Sequence, residues 1–145
     1  MTIEYIVVHC SATPPSMDIG VDKIREWHLE RGWRDVGYNY IVRRDGTVEA
    51  GRPEGDTLAH AHGYNTNSIA ICLVGGVNEF NAPQANFTGE QGASLRAFIS
   101  WMERRYPGAV VCGHRDLPGV PKDCPSFSVA NWRSTGHFTK PKKSD

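Results

Sequence analysis

Three side chains able to ligate a metal stand at or near the ends of strand-forming runs. His9 closes "EYIVVH", His114 closes "AVVCGH", and Cys124 sits in the loop that follows, between Asp123 and Pro125. In α/β folds, loops at strand ends collect functional groups because the sheet holds them rigidly. If the strands bearing His9 and His114 are neighbours, both imidazoles meet at one sheet edge. The proline- and glycine-rich "DLPGVPKDC" can then return Cys124 as a third ligand. Two imidazoles and one thiolate suit zinc. Three protein ligands leave a fourth position for solvent, the mark of a catalytic rather than a closed structural site. One thiolate leaves such a centre at plus one, so it remains a Lewis acid. Spacing alone favours the plainer alternative of hydrogen-bonded loop histidines and an unliganded thiol, because ligands this far apart form no local motif.

The other candidates carry weaker signals. "HLE" at 28–30 matches half of a zinc deaminase signature, but the P-C-x-x-C half is missing, so His28 reads as a helix residue packing beside Trp27. No H-E-x-x-H occurs, which removes the commonest metalloprotease pattern. "AHAHGYN" carries His60 and His62; such loop histidines are usually solvated, although His60 could line a cleft. Tyr38 in "DVGYNY" reads as a half-buried aromatic at the start of a hairpin strand. Lys122 reads as a loop lysine two residues before Cys124. Each could reach an oxyanion forming at a metal, if the metal is there. None of the four cysteines forms C-x-x-C, and Cys72 and Cys112, inside apolar runs, read as small core residues.

These groups need a frame. "IEYIVVHC" (3–10) and "SIAICLVGG" (68–76) read as buried strands, and "AVVCGH" (109–114) as a short one. "YNYIVRRDGTVEAG" (38–51) reads as a hairpin around Asp45-Gly46. "GVDKIREWHLERG" (20–32) places Val21, Ile24, Trp27 and His28 on one helical face. "TGEQGASLRAFISWMERRY" (88–106) is the clearest helix: Thr88 and Gln91 form a capping box, and Leu95, Phe98, Ile99, Met102 and Tyr106 recur at helical spacing. "SVANWRS" (128–134) reads as a last short helix. The order predicts a single α/β domain over 1–136, with a mixed central β-sheet flanked by helices. Residues 137–145 are expected to form a disordered tail.

Composition narrows the function classes. The chain has 145 residues, enough for one sizeable core. Sixteen basic and sixteen acidic side chains balance to zero, which argues against a broad nucleic-acid face and leaves only a local basic patch open. The start lacks a basic n-region and no stretch is long and apolar enough for a membrane span. The expectation is synthesis in the cytoplasm, without Sec-type export and without a membrane partner.

Taken together, "VVHCSAT", "REWH…GW.DVGYNYIV.RDGTVEAGR", "GYN.NSI.ICLVGG", "ANFT" and "H…PK.CPSF" resemble the zinc N-acetylmuramoyl-L-alanine amidases of the phage lysozyme type. The wider family includes the peptidoglycan recognition proteins. The resemblance runs from Ile6 to Trp132 with its segments in family order, and it reverses the balance at the metal site. It implies that His9, His114 and Cys124 bind one catalytic zinc ion, that Tyr38 and Lys122 assist catalysis, and that His60 contacts substrate. It implies a phage endolysin, a monomer made in the host cytoplasm that acts on periplasmic peptidoglycan after release. Retention of Cys124 favours an enzyme, since family members that only bind peptidoglycan often lack that ligand. Three departures stand out: a longer loop between His114 and Cys124, a divergent "PEGDTL" (53–58), and a nearly missing N-terminal arm. In the phage type that arm contacts the phage RNA polymerase, so this partner is in doubt. The alternatives left open are a peptidoglycan-binding or RNA polymerase-regulating protein, and a bacterial cell-wall recycling amidase.

Overall fold

The computed structural model of the chain describes residues 2–120 and 122–139. Strand β1 (Tyr5–Cys10) leads to helix α1 (Val21–Glu30), then the hairpin β2 (Tyr40–Val42) and β3 (Val48–Ala50). Strand β4 (Ser68–Leu73), helix α2 (Gly89–Arg105), strand β5 (Val110–Gly113) and helix α3 (Val129–Thr135) follow, with a 3-10 turn at His114–Asp116. The strands form one sheet in the order β3-β2-β4-β1-β5. β1 lies between β4 and β5, parallel to both, β2 is parallel to β4, and the β2–β3 pair is antiparallel. This is the mixed sheet with flanking helices that the alternation of elements predicts.

The two-residue period of a strand sorts the core. Ile6 and Val8 of β1 join Ile69, Ile71 and Leu73 of β4 on one face, under Leu95, Phe98, Ile99 and Met102 of α2 and under Phe127 and Trp132. Each such side chain contributes roughly 1.5–3 kcal/mol by leaving water. On the other face Ile41 and Cys72 meet Val21 and Ile24 of α1. Val7 packs there on Ala61 and Leu117. His9, two residues on from Val7, is therefore aimed at this second face, where it is 1% exposed.

Local chemistry ends the helices as expected, with one exception. The Thr88 hydroxyl accepts from the Gln91 amide, and the Gln91 side chain accepts from the Thr88 amide. Gln91 is fully buried and also donates to the carbonyls of Val42 and Val74, so the cap pins α2 to the sheet. Helix α1 has Gly20 at its cap and no side-chain cap of its own. Its Val21 amide donates instead to Glu49 of β3 at 2.9 Å, a partner no local pattern announces. Among the described residues no helix is long and apolar enough to cross a membrane.

Three details depart from the sequence reading. Cys72 is fully buried, but Cys112 is only half-buried, because β5 is an edge strand. "PEGDTL" anchors helix α2: Glu54 accepts from the hydroxyls of Tyr40 and Tyr106 and pairs with Arg105 at 3.0 Å. The expected tail begins at 137, yet Phe138 stacks on Trp132 at 5.9 Å and meets Phe127 at 4.9 Å. Packing therefore continues to Phe138, while 140–145 lie outside the described residues.

Candidate metal centre

Parallel pairing of β1 with β5 brings the first two candidate ligands to one edge. Val8 is level with Gly113, so His9 and His114 leave the sheet side by side, with ring centroids 4.5 Å apart. Cys124 returns to the same edge, where the Cys10 amide donates to its Sγ at 3.2 Å. The returning loop is tied down by the Arg115 amide, which donates to the Cys124 carbonyl at 2.8 Å. Gly113 makes this approach possible. A Cβ there would stand 2.8 Å from Cδ of Pro125, inside contact distance of a ring that cannot swing aside.

The ligand atoms of His9, His114 and Cys124 all lie within 4.8 Å of one another. Nδ1 of His9 faces the Cys124 sulfur at 3.7 Å. Ligand atoms around a tetrahedral zinc are roughly 3.3–3.8 Å apart, so small side-chain adjustments close the set. The protonation states agree with the geometry. Burial first, then the neighbouring His60, His114 and Lys122 charges, hold His9 well below the usual imidazole range. Burial and then Lys122 lower His114 likewise. Both rings are neutral at pH 7, the form a metal requires. The Cys124 thiol is held above its ordinary value by contact with the Cys10 thiol and by burial. A divalent cation reverses that preference, because a coordinating thiol gives up its proton outright. These three groups could hold a metal.

The remaining candidates divide by position. The Tyr38 ring lies 5.0 Å from His9, and burial raises its hydroxyl pKa well above 10, so it stays protonated and donates. Lys122 is exposed and lines, with His114, a cleft of about 570 Å³ beside the three ligands. His60 also borders this cleft, yet it is 9% exposed and both of its ring nitrogens are hydrogen-bonded within the protein. His62 is exposed on the cleft wall.

Two cleft residues escaped the sequence reading. Arg31 lies over the Trp33 ring at 5.3 Å, and both line the same cleft as Lys122. The signal available was only "ERGW", which reads as a helix stop.

His28 packs on Trp33 at 4.6 Å and on Tyr38 at 5.5 Å. Its Nδ1 accepts from the Gly37 amide at 2.8 Å, which needs a neutral ring. Burial first, then Arg31 and Arg52, lower its pKa to about 4. The unfolded chain binds this proton as pH falls through about 6.5, whereas the fold resists until about 4. His28 therefore contributes stability in full above pH 6.5, and that contribution is lost as pH falls from 6.5 to about 4. Urea unfolding of the metal-free protein is expected to show wild type losing on the order of 2–3 kcal/mol more over that window than His28→Gln.

The family model for N-acetylmuramoyl-L-alanine amidase matches residues 1–127. The endolysin of Escherichia phage T7 is 52% identical over 127 residues, 88% of this chain and 83% of that protein. The solved endolysin amidase LysCS from Clostridium intestinale superposes with a TM-score of 0.77 at 27% identity, covering 96% of this chain and 86% of its own. Wild-type PGRP-LB of Drosophila gives 0.73 at 25%, covering 99% and 86%. A family match over nearly the whole domain, and a fold whose parallel β1–β5 pair gathers two histidines and a cysteine at one edge, place the chain in the N-acetylmuramoyl-L-alanine amidase family.

Proposed function

We propose that the chain is a zinc-dependent endolysin that hydrolyses the amide bond between N-acetylmuramic acid and L-alanine in peptidoglycan. The convergence of His9, His114 and Cys124 beside an open cleft carries this reading. A zinc ion held by these residues would supply Lewis acidity and a nucleophile at neutral pH. The chain's own groups supply the rest. Attack on the lactyl carbonyl makes a tetrahedral oxyanion, and Lys122 offers it a positive charge at the cleft wall. The Tyr38 hydroxyl, held protonated on a ring that packs on His9, donates a hydrogen bond to that oxyanion or a proton to the departing amine. Arg31, Lys122, His60 and His114 line the cleft, and no carboxylate is among its described lining residues, which suits a stem peptide bearing acidic residues.

The substrate lies in the periplasm, so the protein acts after release from the cytoplasm. Chloroform-treated Gram-negative cells are expected to clear on addition of the protein, with new L-alanine amino termini released, and EDTA is expected to stop both. Wall capture without clearing would identify a receptor instead. Preference for soluble anhydro-muropeptides over intact sacculi would identify a recycling enzyme.

A further inference from the structure

The contacts behind His9 form a directed chain. His9 Nε2 lies 2.8 Å from His60 Nδ1. His60 Nε2 lies 2.6 Å from Ser68 Oγ and 3.2 Å from the Tyr64 carbonyl. Ser68 donates to that same carbonyl. All three side chains are buried: His9 at 1%, Ser68 at 3% and His60 at 9% exposure. The loop that carries His60 is itself fixed, since Asn65 Oδ1 accepts from the amides of His60 and Ala61.

A carbonyl oxygen can only accept, and this sets the direction of the whole chain. Ser68 spends its proton on Tyr64, so its oxygen is left to accept. His60 Nε2 faces two acceptors and must carry its proton there. A neutral His60 then has a bare Nδ1, which accepts from His9 Nε2–H. A neutral His9 protonated at Nε2 has its lone pair on Nδ1, the atom that faces Cys124 at 3.7 Å.

Resting on the metal-centre reading above, we propose that His60, backed by Ser68 and the Tyr64 carbonyl, is a positioning residue that locks His9 in the Nε2–H tautomer and aims Nδ1 at the metal. Its role is metal affinity, not substrate contact. Outer partners of ligating histidines typically tune affinity by about 10- to 100-fold.

Zinc affinity is read by competition with a chromophoric chelator, without substrate. His60→Ala is expected to bind zinc about 10- to 100-fold more weakly. His60→Asn, which keeps an acceptor where Nδ1 stood, is expected to recover most of that loss. Wild-type affinity in His60→Ala, with a raised KM on sacculi, would overturn the proposal in favour of substrate contact. Equal losses in both variants would overturn it as well, leaving only a packing role. Imidazole nitrogen-15 spectra of metal-free wild type need no variant to fold. They are expected to show His9 and His60 both protonated at Nε2 and bare at Nδ1, and the opposite tautomer of either sinks the idea. The zinc-affinity and nitrogen-15 readouts use no amidase activity, so a protein inactive on peptidoglycan but with this tautomer pattern would separate the two claims.

Discussion

His114→Ala and Cys124→Ala are each expected to yield a folded protein that retains no stoichiometric zinc after dialysis and releases no L-alanine termini above background. Three protein ligands are the minimum for a site of this kind, and losing one leaves only two donors, on separate elements. The fold should survive. Both residues stand beyond the end of β5, outside the clusters that join sheet and helices. Elemental analysis of purified protein beside a thermal melt checks both halves. Full zinc occupancy in Cys124→Ala would remove the sulfur from the site.

The second large effect separates binding metal from using it. Lys122→Ala and Tyr38→Phe are expected to keep full zinc occupancy while kcat falls by about a hundredfold or more, the usual loss when one oxyanion donor is removed. KM should change little, because the interaction is made mainly in the transition state. Tyr38→Phe is the cleaner of the two. It keeps the ring that lies 5.0 Å from His9 and deletes only the hydroxyl. Because that hydroxyl is held protonated, its loss should lower the whole pH–rate profile without removing an ionisation near neutrality. Loss of zinc in Lys122→Ala would show that the lysine supports the ligand loop and does not serve the oxyanion.

The elements that hold these groups were legible because the forces that define them are short-ranged. The Thr88–Gln91 capping box spans one helical turn and forms as expected. The hairpin turns at Gly46, whose φ of 90° is costly for any residue with a Cβ. The unbroken apolar run of β1 announces a strand covered on both faces, and both neighbours of β1 are parallel strands. The Glu49 cap of α1 was not legible, since the helix and its acceptor belong to different elements. Nor was the half-exposure of Cys112, which depends on β5 being last in the sheet.

The candidate site divides along the same line. From the amino-acid order alone one could read which residues can ligate or donate, and that His9 and His114 end strands. A family resemblance was needed to choose among them, because hydrophobic periodicity reports burial and carries no record of which strands pair. Tertiary structure decided that β1 and β5 are neighbours in parallel register. It brought Cys124 to His9 across 115 residues of chain and set His60 behind the same ring across 51. Those contacts exist only once two faces of one sheet have been buried, since nothing weaker than the whole core could hold such distant groups within a few ångströms.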